Sequence, residues 1–98
     1  MKYTVFINND GIVTNKRIDT YKPIDEICEE EYKKILESYD MAGVKYKVNS
    51  SQAFVDVVED KVLGEDVVIG VGIGKKSTIS YDVAYLKPKT VELRVSLI

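Results

Sequence analysis

Pro23-Ile24-Asp25-Glu26-Ile27-Cys28-Glu29-Glu30-Glu31-Tyr32-Lys33-Lys34-Ile35-Leu36-Glu37-Ser38-Tyr39 carries the strongest helical periodicity in the chain. Ile24, Ile27, Cys28, Tyr32, Ile35, Leu36 and Tyr39 fall on one face of an α-helix. Asp25, Glu26, Glu29, Glu30, Lys33, Lys34 and Glu37 fill the opposite face. Pro23 suits the first turn, Asp25 and Glu26 meet the positive end of the helix dipole, and Gly43 follows the expected end. A helix with one apolar stripe needs a sheet to cover it, so the remaining segments are read as strands and one weaker helix.

Before this helix, Tyr3, Val5 and Ile7 alternate with Thr4 and Phe6. Asn8-Asn9-Asp10-Gly11 marks a hairpin, because Asp and Gly both tolerate positive φ. Ile12–Ile18 returns with a polar middle and reads as an edge strand. After the helix, Val44-Lys45-Tyr46-Lys47-Val48 alternates strictly and reads as a strand with Val44, Tyr46 and Val48 inward. Ala53, Phe54, Val57, Val58 and Val62 then recur at helical spacing between Ser51 and Gly64, which predicts a second helix over Ser51–Leu63. Its valine content weighs against that reading. From Val67 the period is two, with Val67, Ile69, Val71 and Ile73 sharing one face, then Ile79, Tyr81, Val83 and Tyr85, then Val91, Leu93, Val95 and Leu97. Turns are expected at Gly74-Lys75-Lys76-Ser77 and Lys87-Pro88-Lys89-Thr90. The expected order is β-β-α-β-α-β-β-β. This is a single α+β domain over residues 1–98, a two-layer sandwich of a mainly antiparallel sheet with helices on one face.

The totals bound the function. Ninety-eight residues make one domain, and a net charge of −2 steers nothing toward nucleic acid. Lys22–Asp40 and the Ser51–Asp66 segment each carry a net −4, so the rest carries +6 and an acidic helix layer beside a basic sheet is expected. No apolar run reaches the roughly 20 residues of a membrane helix. The N-terminal apolar run is too short for a signal peptide, and one cysteine cannot form an internal disulfide, so a cytoplasmic setting is expected.

Histidine is absent, which removes the commonest general base and the commonest zinc ligand. Cys28 sits on the apolar helix stripe and reads as an inert buried thiol. Asp25 and Glu29 share a helix face, but i,i+4 pairing with Lys33 and Lys34 accounts for the acids more plainly than a metal does. Neither enzyme activity, metal nor cofactor is expected.

Gly70-Val71-Gly72-Ile73-Gly74-Lys75-Lys76-Ser77 is the one oddity. A phosphate-binding loop needs a glycine five residues before the Gly-Lys pair, and Ile69 stands there. The three glycines lie on one strand face and leave a bare stripe. A neighbouring aromatic or the helix layer can press there, the strand can bulge there, or a ligand or partner can dock there.

A sheet that binds nucleic acid wants stacking aromatics on its open face; Tyr81 and Tyr85 fall on the apolar face and only Phe6 points the other way, so nucleic acid is not expected. The leading expectation is a protein–protein interaction module of inhibitor or adaptor type, with Glu26, Glu30 and Glu37 as a partner-binding helix face. It suits a viral or mobile-element accessory protein and a cellular one alike. The first alternative is a subunit of a homo-oligomer, joined through the polar second strand or the C-terminal strand that runs to Ile98. The second is a small anionic-ligand binder built on Gly70, Gly72, Gly74, Lys75, Lys76 and Ser77.

Overall fold

Asp10 and Gly11 take positive φ (52° and 92°), and this turn folds β1 (Lys2–Asn9) onto β2 (Ile12–Asp19). The Gly11 N–H donates to Asn8 Oδ1 at 2.9 Å, which fixes the turn. Register runs from Asn9 opposite Ile12 to Lys2 opposite Asp19. The computed structural model describes residues 1–62, 64–81 and 87–98.

The quoted stretch is α1 (Ile24–Met41), preceded by Pro23 in an extended conformation. Its end is a Schellman turn: Gly43 takes φ 71°, its N–H bonds the Asp40 carbonyl, and the Val44 N–H bonds that of Tyr39. Ile27, Cys28 and Ile35 are buried against Tyr3 and Val5 of β1, Ile79 of β4 (Glu65–Tyr81), and Val91, Leu93 and Val95 of β5 (Lys89–Leu97). Leu36, Tyr39 and Tyr46 close the rim. Three hydroxyls tie the rim down: Tyr3 to the Lys22 carbonyl (3.0 Å), Tyr32 with Ser77 (2.6 Å), and Tyr39 to Asn9 (2.7 Å). Among the described residues no helix is long and apolar enough to cross a membrane.

The second half corrects the expected order. The stretch from Ser51, expected as a helix, continues β3 (Tyr46–Val62) for all of its described residues. Gly64, with φ 81°, follows β3 at the turn into β4 instead of capping a helix. Gly74-Lys75-Lys76-Ser77 lies inside β4 rather than at a turn. Val83 and Tyr85, expected on a strand face, lie outside the described residues. Among the described residues the order is therefore β-β-α-β-β-β, one helix on a five-stranded antiparallel sheet ordered β2-β1-β5-β4-β3. β2 is an edge, as its polar middle implied. The C-terminal strand β5 is not: it lies between β1 and β4, and Val91, Leu93 and Val95, three of its four inward residues, are fully buried.

β5 pairs with β4 only as far as Gly72, opposite Ser96. Beyond that point β3 and β4 pair with each other alone and form a two-stranded arm. The molecule measures 57 × 25 × 19 Å, whereas α1, at 18 residues, covers about 27 Å of it. The radius of gyration is 15.9 Å, against about 12.6 Å for a compact chain of this length. Accessible surface is 6950 Å², about 1,300 Å² more than a compact monomer of 11.1 kDa exposes.

Candidate interaction surface

The arm inherits its two faces from the body. Ile73 packs against the core, Lys75 meets α1, and Ser77 bonds Tyr32, so odd-numbered β4 residues in this stretch face the helix side. Register places Val55 opposite Ile73 and Val57 opposite Val71 on that same side. A shift between Val58 and Glu59 leaves Ile69 without a partner of its own and puts Val68 opposite Glu59. The helix side of the arm is thus a strip of Ile73, Val55, Val57, Val71 and Val68, with Glu59 at its far end. Val55, Val57 and Val68 are exposed there because the N-terminal end of α1, which lies on this side, stops short of them. These residues continue the core's apolar face into solvent. A two-stranded ribbon is only marginally stable in water, so an uncovered apolar ribbon is a surface that gains from a partner.

The glycine stripe lies on the opposite, open face. Phe54 is paired with Gly74, and a Cβ at Gly74 would collide with the Phe54 ring and with the Leu93 carbonyl. The glycine is there because a ring lies across it, the aromatic form of the close approach expected from sequence. The Arg94 guanidinium sits 5.2 Å from the same ring and reaches Glu92 (2.6 Å) and Asp56 (3.0 Å). The Glu92 hydrogen bond raises the Arg94 pKa further, against a small opposing cost of burial. A Cβ at Gly72 would lie 3.2 Å from Ser96 Oγ, while one at Gly70, beside the Ile69 bulge, would meet only Val58 Cβ at 4.0 Å.

The structure does not bring Gly70, Gly72, Gly74, Lys75, Lys76 and Ser77 together at one point. Lys75 turns to the helix side, where its ammonium pairs with Glu29 (2.8 Å) and lies 4.6 Å from the Tyr32 ring. Ser77 is buried beneath α1. Lys76 points to the open face, 5.7 Å from the Phe54 ring. There it lines a shallow pocket of about 360 Å³ with Asn8, Ser50, Gln52, Thr90 and Glu92. One lysine and one carboxylate balance, so the pocket has no surplus positive charge for an anion.

Glu26, Glu30 and Glu37 do share one line of α1, away from the sheet. Glu26 and Glu37 are exposed; Glu30 holds Lys22 at 2.6 Å, and that hydrogen bond raises the Lys22 pKa. Glu31, their neighbour, does something different. It is 3% exposed and receives Lys16 at 2.7 Å and Lys34 at 3.2 Å. Burial pushes its carboxyl up, but the two lysines outweigh that and hold it below the usual carboxylate value. Cys28 is buried, and burial, then Glu29, push its thiol up against an opposing pull from Lys75.

No family model matches the chain, and no curated protein matches it in sequence. The functional reading therefore rests on geometry. The strip of Val55, Val57, Val68 and Val71 was missed by sequence reasoning, although its run of β-branched residues was the available signal.

Proposed function

We propose that this chain is a non-enzymatic protein–protein interaction module that engages its partner through the β3–β4 arm. One observation carries the reading: the apolar helix-side face of the sheet continues past the helix that covers it, as exposed Val55, Val57 and Val68, onto a ribbon with no third strand. The acidic line of Glu26, Glu30 and Glu37 is the secondary contact in this reading; its solvated carboxylates serve orientation and encounter more than affinity. An inhibitor or adaptor acting in a reducing cytoplasm fits the single buried thiol.

A photo-activated cross-linker placed at Val57, with one at Glu37 for comparison, tests this in the host cell. Adduct formation to protein at Val57 is the expected result. Cross-linking confined to Glu37, or none at either position, would overturn the arm as the binding element.

A further inference from the structure

We propose that the open face of the sheet binds single-stranded nucleic acid, a function separate from that of the helix-side strip on the arm. Sequence alone places only Phe6 on this face. The structure adds Phe54, because the stretch expected as a helix continues β3. The two rings share one row across the sheet: Phe6 stands opposite Arg94, Arg94 opposite Gly74, and Gly74 opposite Phe54. Both phenylalanines are partly exposed. Three strand spacings, about 14 Å, separate them, so each takes a base of its own. Sheets that bind single strands stack bases on such rings, and every base has a face to offer.

The charges point to the same ligand. Register sets Lys47 opposite Ser80, Lys76 opposite Glu92, Arg94 opposite Phe6 and Arg17 opposite Thr4. These four side chains form a diagonal line from β3 to β2 that passes between the two rings. Arg17, Lys47 and Lys76 have no acid partner among the described residues. The acids on the body's part of this face are already held: Asp56 and Glu92 by Arg94, and Asp19 by the N-terminal ammonium at 3.6 Å. On the other side of the sheet, α1 carries seven acids and two lysines. The molecule therefore turns its positive side to the open face, where a phosphate backbone complements the line. Arg94 and Lys76 lie 5.2 and 5.7 Å from the Phe54 ring, placed for the phosphates of a base stacked there. The pocket of about 360 Å³ beside Lys76 offers the amides of Asn8 and Gln52 and the hydroxyls of Thr78 and Thr90, which suit the uncharged edge of a base. An acidic polypeptide would match the line of charge alone; the rings and amides favour bases.

Lys75 and Lys76 make the test sharp, because they are adjacent and lie on opposite faces, Lys75 against Glu29 and Lys76 over Phe54. The probe is a fluorescein-labelled oligouridine of about 12 nucleotides, read by anisotropy with the full chain. The same strand annealed to oligoadenosine and a labelled oligoglutamate serve as comparisons. Saturable binding of the single strand is expected, weaker for the duplex and for oligoglutamate. Between about 50 and about 200 mM salt the logarithmic slope should be about −2, as three phosphate contacts to a single strand give. Lys76→Ala should weaken binding and take about 0.7 off that slope, while Lys75→Ala leaves both unchanged. Phe54→Ala should weaken binding about 10-fold or more through lost stacking. Far-UV circular dichroism confirms that each variant is folded; should Phe54→Ala fail to fold, Phe6→Ala reads the same loss on β1. No saturation up to about 200 µM protein, duplex or oligoglutamate bound as tightly as the single strand, or equal effects at 75 and 76 would overturn the proposal. None of these results bears on cross-linking from Val57, so the arm's reading stands or falls separately.

Discussion

Gly74→Ala is the substitution whose cost the fold specifies most closely. A methyl at this position would lie 2.7 Å from Phe54 Cε2 and closer still to the Leu93 carbonyl oxygen. The ring can swing away, but the carbonyl belongs to the β4–β5 ladder and moves only with its strand. That places the penalty at the upper end of the overpacking range, about 3 kcal/mol. Restricting the unfolded chain returns about 0.7 kcal/mol, for a net loss of about 2 kcal/mol. Gly70 lacks the close contacts, so Gly70→Ala should gain about 0.5 kcal/mol from the same entropy term. For a domain of this size, these values correspond to a melting temperature about 8–16 °C lower for Gly74→Ala and about 2–4 °C higher for Gly70→Ala. Thermal and urea unfolding followed by circular dichroism read both. Phe54→Ala on the Gly74→Ala background should restore only part of the loss, because the carbonyl clash remains. Equal stability of the two single variants would refute the packing of Phe54 and Leu93 over Gly74.

Two further outcomes follow from the helix. Glu31→Gln should cost about 1–2 kcal/mol at pH 7, less than a fully buried pair would, because Lys16 and Lys34 stay half in water and remain hydrated. The Glu31 pKa is lowered by folding, so its contribution is present above the unfolded value of about 4.3 and is lost as pH falls through the lower folded value; urea titrations at pH 7 and pH 3 should show the gap between wild type and variant close, and a constant gap would contradict the pairing. Cys28 should react slowly with a thiol reagent in the native state at pH 8 and fast in urea, because it is buried and its thiolate is disfavoured; equal rates in both would contradict its burial.

The helix was legible because its apolar residues all meet one surface, and its charged ones all meet water. The first hairpin was legible because Asp10-Gly11 permits little else. β3 was not, for a physical reason: an edge strand running into a two-stranded arm has no single buried face, so apolar residues stand on both sides of it. Phe54 and Val58 face one way, Val55 and Val57 the other, and the period of two is erased. Some of those residues then matched helical spacing by accident, while the density of valine carried the true signal. Gly74-Lys75-Lys76-Ser77 read as a turn because it is polar. Its polarity is spent inside the sheet: Lys75 on Glu29 and Tyr32, Ser77 on Tyr32, Gly74 beneath Phe54. The odd-numbered phase from Val71 and Ile73 to Ile79 and Tyr81 runs through those four residues unbroken, and that continuity marks a single strand. The position of β5 in the sheet could not be read from its place at the end of the chain, but its strong alternation matches a central strand better than an edge. The candidate surface stayed hidden with β3, since its valines become a surface only once the arm is seen to outrun α1.

Amide hydrogen exchange along the arm of the purified protein tests the central claim most directly. If the arm needs cover, amides of Val55–Val58 and Val67–Val71 should exchange fast, while those of β1 and β5 stay protected. Arm amides as slow as those of β5 would show a self-sufficient ribbon and contradict the account.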